Sequence, residues 1–125
     1  MIESEFILTI IEITIEGEKF ENQILEQLNF LSEKNNEYTG VGIYTYLQPQ
    51  VGIEKHQLTK DQLDEMFGIY NNELTKFELI NVELNILADV TMNFRQGIID
   101  NIEIFNKLGE YPTEELLTYQ LRRIE

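Results

Sequence analysis

From Ile80 to Phe94 every even position is apolar (Ile80, Val82, Leu84, Ile86, Ala88, Val90, Met92, Phe94), while the odd positions are nearly all polar. A period of two is the signature of a β-strand with one buried and one wet face, so this run commits the chain to a sheet. Fifteen residues would extend about 50 Å, far beyond an ordinary strand, so a bend or bulge is expected near Glu83 to Asn85. Phe94 ends the strand and Ile98 begins another. Arg95, Gln96 and Gly97 are left as a three-residue hairpin connection, with Gly97 supplying the left-handed conformation. The returning strand, 98–106, carries Ile98, Ile102 and Ile104 on one face, with Asp100 as the single acidic residue in that row. Ile99, Asn101, Glu103 and Phe105 take the other face.

Phe6, Leu8 and Ile10, then Ile11, Ile13 and Ile15, predict a strand over 6–15 that changes face or is covered on both sides. Phe20, Ile24, Leu28 and Leu31 recur at helical spacing and predict an amphipathic helix over 18–34. "EYTGVGIYTYL" predicts a β-branched and aromatic strand, stopped by Pro49, with Val41, Ile43, Thr45 and Leu47 on one side and Tyr44 and Tyr46 on the other. In "LTKDQLDEMFGIY", Thr59 and Gln62 form a capping box, Leu58 can staple onto Leu63, and Leu63, Met66, Phe67 and Tyr70 make an apolar stripe. Residues 113–123 read as one helical turn and a terminal strand. The sum is a single α+β domain over 1–125, with a mainly antiparallel sheet of five to six strands and two helices packed on one face.

Composition narrows the function. At 42% hydrophobic residues the chain is too apolar for disorder, even with a net charge of −14. The most apolar run, "FILTIIEITI", is broken by Glu12 and preceded by Glu3 and Glu5, which argues against a signal peptide or membrane anchor. There is no cysteine, so disulfides, thiolate zinc sites and thiol nucleophiles are excluded and a cytoplasmic location is the natural expectation. Twenty-three acidic residues against nine basic ones repel phosphates and anionic headgroups, so neither nucleic acid nor membrane is an expected partner. The acidity serves either solubility or a basic partner protein.

Asp100 and Glu103 could pair for acid/base work, but three residues apart on a strand they face opposite ways unless a bulge intervenes. His56 is the sole histidine, in a polar connection where it reads as exposed, and no Asp-rich loop offers a calcium site. The glycines of "TGVG", 39–42, open a strand rather than a phosphate-binding helix. Ser4 and Ser32 lack a nucleophile context. No catalytic residue, metal ligand or cofactor is expected. Tyr44 and Tyr46 share a strand face that reads equally as an interface or as a second apolar layer beneath the helices. With the exposed acids Glu21, Glu26 and Glu33 of the first helix, they are the candidate binding residues.

The order of "TGVGIYTY" and "ADVTMNFRQGIIDNIEIFNKLGEYP", within residues 38–112, resembles a pattern in small acidic bacterial α+β proteins, some of which accompany polymorphic toxins as immunity proteins. The resemblance implies an inhibitor that covers a basic toxin's active site with acidic side chains, and brings no catalytic residues. The first functional expectation is therefore a non-enzymatic, cytoplasmic binding protein. The alternatives are a small-molecule-binding domain with a pocket between sheet and helices, or a weak hydrolase or isomerase using Asp100.

Overall fold

A computed structural model describes residues 1–68 and 72–124. Tyr70, placed in the stripe of the second predicted helix, lies outside them. The fold is α+β: among the described residues there are three α-helices and a six-stranded antiparallel sheet of order β1-β2-β5-β4-β3-β6. The helices are α1 (Glu5–Ile15), α2 (Glu21–Gln27) and α3 (Lys60–Phe67), and the strands are β1 (Leu31–Tyr38), β2 (Gly42–Pro49), β3 (Glu73–Asn81), β4 (Ile86–Arg95), β5 (Ile98–Asn106) and β6 (Gln120–Arg123). Among the described residues no helix is long and apolar enough to cross a membrane.

The N-terminal segment corrects the expected strand over 6–15, because it is a helix. Ser4 caps it, its Oγ accepting from the Ile7 amide at 3.2 Å. Phe6, Ile7, Ile10, Ile11, Thr14 and Ile15 are buried, a helical stripe. The polar positions Glu5, Thr9, Glu12 and Glu16 fall at spacings that also follow a turn of 3.6 residues. β-branched residues are mild helix formers at best. Here the loss is offset by burial, and Thr14 Oγ1 donates back to the Ile10 carbonyl at 2.6 Å.

The helix expected over 18–34 is likewise shorter, spanning only α2 and a 3₁₀ turn at Leu28–Phe30 before the chain becomes β1. β1 is an edge strand paired to β2, with a bulge at Lys34. A bulge and charged side chains on an exposed edge oppose edge-to-edge association. The long strand expected over 80–94 is in fact a hairpin: β3 ends at Asn81, β4 starts at Ile86, and Val82 in the turn is 87% exposed. Asn81 Oδ1 accepts from the Leu84 amide and Asn85 adopts φ +57°, both turn devices open to asparagine. The capping box of α3 forms as expected, Thr59 Oγ1 accepting from the Gln62 amide and Gln62 Oε1 from the Thr59 amide. No helical turn precedes β6.

β4 sits near the middle of the sheet, and its even residues Ile86, Ala88, Val90, Met92 and Phe94 all point inward and are buried. α1 lies against β3 and α2 against β5, while Phe67 of α3 packs on Phe94 with ring centroids 5.3 Å apart. Among the described residues the opposite face of the sheet carries no helix. The helical layer is tied to the sheet by Gln27, a fully buried side chain: Nε2 donates to the carbonyls of His56 and Gly97, both at 2.9 Å, and Oε1 accepts from the Ile99 amide at 3.0 Å. Gln27→Leu keeps the volume but strands the Ile99 amide and removes a bond from the His56 and Gly97 carbonyls, which keep Gln23 and the Leu58 amide as donors, so it is expected to cost about 1–3 kcal/mol. A shift in urea midpoint equivalent to less than about 0.5 kcal/mol would mean that these bonds do not hold the layers together.

Candidate functional site

Strand geometry turns alternate residues of β2 outward, and Tyr44 and Tyr46 point away from the helices. They are therefore not a second apolar layer. Their rings lie 6.0 Å apart at 15° to each other. Register decides their neighbours: Tyr44 stands between Glu37 of β1 and Glu103 of β5, and Tyr46 between Asn35 and Asn101. The Tyr44 hydroxyl donates to Glu103 Oε2 at 2.9 Å.

Asp100 reaches this face through a bulge. Asn93 pairs with Asn101 but Phe94 pairs with Ile99, which leaves Asp100 outside the ladder. The extra residue turns both Ile99 and Ile102 into the core and corrects the expected alternation of this strand. It also removes the argument that separated Asp100 from Glu103, since the charges of both act on Tyr46. Each carboxylate is engaged, Glu103 by Tyr44 and Asp100 by the Asn101 amide at 2.8 Å. Asp100 also lines a groove of about 280 Å³ with Lys34, Arg95 and Gln96.

The electrostatics are lopsided. Glu37, Asp100 and Glu103 form no ion pair among the described residues, whereas on the β3 side Lys107 bridges Glu78 at 2.7 Å and Asp89 at 3.0 Å, and Arg122 meets Glu78 at 3.0 Å. The Glu78 carboxyl is accordingly pulled down by its hydrogen bonds from Lys107 and Arg122. The Tyr44 phenol is pushed up, first by its bond to Glu103, and that of Tyr46 first by desolvation and then by Glu37, Asp100 and Glu103. Both phenols stay neutral at physiological pH, within a patch of uncompensated negative charge.

The other candidate residues lie elsewhere. Glu21 and Glu26 are on α2, where Glu21 accepts from the Gly17 amide and Glu26 from the Asn29 amide group. Glu33 is on β1, not on a helix, and faces inward, its Oε1 accepting from the Glu3 amide at 2.7 Å. The three acids do not form one helical face. His56 is half-buried and stacks on Phe30 at 5.4 Å. Gly40 turns the β1–β2 hairpin at φ +87°, and a Cβ on Gly42 would lie 2.0 Å from the Ile104 carbonyl oxygen, so the glycines of "TGVG" serve close backbone packing. Among the described residues no three His, Asp or Glu side chains are arranged to hold a metal. Residues the sequence reading passed over include Glu37, Thr45 and Tyr111, whose neighbours depend on register and on the 107–119 connection.

No family model matches the chain, and no curated protein or solved structure matches it either.

Proposed function

We propose that this is a non-enzymatic, cytoplasmic binding protein that docks a basic protein partner on the uncovered face of its sheet, with Tyr44 and Tyr46 as the anchors. The observation that carries the reading is the tyrosine pair set among Glu37, Asp100 and Glu103, on a face where, among the described residues, these acids have no ion pair and no helix packs. Tyrosine offers large, rigid area with a polar tip, and its ring face attracts Lys or Arg. The surrounding carboxylates would steer such a partner and raise its association rate. The resemblance to immunity proteins adds a class of partner, a basic toxin whose active site this face would cover.

The test is capture of partners from the source cell's lysate by three forms of the protein, each at low and high salt. In the wild type a basic protein is expected that is lost at high salt, because exposed charges are screened beyond about 8 Å at physiological ionic strength. The double change Tyr44→Ala and Tyr46→Ala should abolish capture, and Glu37→Gln with Glu103→Gln should weaken it mainly through a slower on-rate. Glu21→Gln with Glu26→Gln, on α2, should leave it intact. Capture that survives the sheet changes and is lost with the α2 changes would overturn the assignment.

A further inference from the structure

On the other side of the sheet, a cavity of about 300 Å³ opens between the N-terminus of α1, the inward faces of β1 and β2, and the 107–119 connection. Its size is at the lower end of the range for small-molecule sites. Phe6, Ile7, Ile43 and Ile104 give it apolar walls. Thr45 and Tyr111 also line it, and each is more than nine-tenths buried. Neither hydroxyl enters a side-chain hydrogen bond among the described residues, although every fully enclosed side-chain nitrogen or oxygen there is bonded. These two hydroxyls are therefore open to the cavity, and a ligand oxygen is the partner that would satisfy them.

The rim excludes one charge class. Glu33 and Glu115 both border the cavity; Glu33 accepts from the Glu3 amide at 2.7 Å and the Ser4 amide at 3.4 Å, and Glu115 accepts from Ser4 Oγ at 2.8 Å. Between them they engage the Glu3 and Ser4 amides and the Ser4 hydroxyl just ahead of α1, and their charges repel a ligand carboxylate or phosphate. Lys34, also on the rim, balances only one of the two. The connection that roofs the cavity is longer than most loops and is held by specific bonds, Tyr111 N to Gly40 O at 2.9 Å and Asn81 Nδ2 to Thr118 O at 2.9 Å, as functional loops often are.

We propose that this cavity binds a small uncharged molecule with an apolar body and one hydrogen-bonding oxygen, of the class of phenols, aromatic alcohols and simple ketones, held by the Thr45 and Tyr111 hydroxyls. Burial, followed by the charges of Tyr38 and Glu115, pushes the Tyr111 phenol up, so it remains a neutral donor at physiological pH. The site is separate from the tyrosine face, and either can fail without the other.

The experiment is an NMR titration of the isotopically labelled full chain with phenol, cyclohexanone and benzoate, followed through backbone amides. Phenol and cyclohexanone should shift Phe6, Ile43, Thr45, Ile104 and Tyr111 saturably, and benzoate should bind at least about tenfold more weakly. Thr45→Val and Tyr111→Phe should each weaken phenol by about fivefold, the share of one neutral hydrogen bond. Equal binding of benzoate, shifts that never saturate, or unchanged affinity in both variants would overturn the proposal. The comparison of neutral with anionic probe needs only the wild-type chain, so it stands if a variant misfolds.

Discussion

Gly97→Val should lower the unfolding free energy by about 2–5 kcal/mol, and Gly97→Ala should account for most of that loss. Gly97 has φ +82°, where a side chain costs roughly 1–2 kcal/mol. Its surroundings add a second term. A Cβ at this position would lie 2.2 Å from the Leu58 carbonyl oxygen and 2.9 Å from the Leu58 nitrogen, backbone atoms that cannot swing aside like the end of a flexible side chain. The segment is pinned there because the Leu58 amide donates to Gly97 O at 3.0 Å and Gln27 bonds the same carbonyl. Forced repacking of that kind typically costs another 1–3 kcal/mol. Since the clash belongs to the Cβ, Ala and Val should differ by little in urea unfolding. A cost for Gly97→Ala near 1 kcal/mol, the left-handed penalty alone, would show that Leu58 does not press on the turn. The adjacent Gln96, at φ +52°, provides the opposite control. Gln96→Asn suits a two-residue turn in which both residues are left-handed, and should be neutral or slightly stabilising.

That turn also shows how far local pattern reaches. The hairpin was legible, because Phe94, Gly97 and Ile98 mark two strands and a glycine between them, yet Arg95 pairs with Ile98 and the loop has two residues rather than three. The capping box of Thr59 and Gln62 was legible because its chemistry is local and needs no tertiary information. α1 was misread because Ile and Thr favour strands in general, and a run apolar on nearly every position satisfies both periods. The deciding signal was in the polar residues Glu5, Thr9, Glu12 and Glu16. β1 had no period to read, since an edge strand exposed along most of its length is under little pressure to alternate. In β3 the bulge at Lys76 shifts the parity between Leu74 and Phe77. The even run 80–94 hid the hairpin although its two arms face opposite ways: Asn81 pairs with Ile86, so Ile80 stands opposite Leu87 on the outward face while the even residues of β4 point inward.

The candidate site was half legible for the same reason. Alternation alone put Tyr44 and Tyr46 on one face. What surrounds them depends on register with β1 and β5, and Glu37, Glu103 and the bulged Asp100 are 7 to 59 positions from these tyrosines in sequence. Assigning Glu33 to a helix followed directly from extending that helix to residue 34, and β1 carries it to the cavity side instead.

Val90→Asp should be the most damaging single change of those considered, at about 4–5 kcal/mol, while Asn93→Asp three residues away should cost no more than about 1 kcal/mol. Val90 is 2% exposed and stands in register with Phe77 of β3 and Ile104 of β5, between Ala88 and Met92 in the inward row of β4. A carboxylate there loses its hydration and gains no partner among these apolar neighbours. It must either remain charged in an apolar layer or take up a proton, and both routes destabilise the fold. Val90→Thr separates charge from shape: it keeps the volume and adds only a hydroxyl, so it should cost about 1–3 kcal/mol. Asn93 faces outward and donates to Asn101 Oδ1 at 2.8 Å. Aspartate loses that one part-buried bond and adds charge on a face open to water, where screening keeps the penalty small. Equal losses for Val90→Asp and Asn93→Asp in urea unfolding would mean that the two faces of β4 are exchanged, and with them the outward placement of Tyr44, Tyr46 and Glu103, because all of these are fixed by the same antiparallel register.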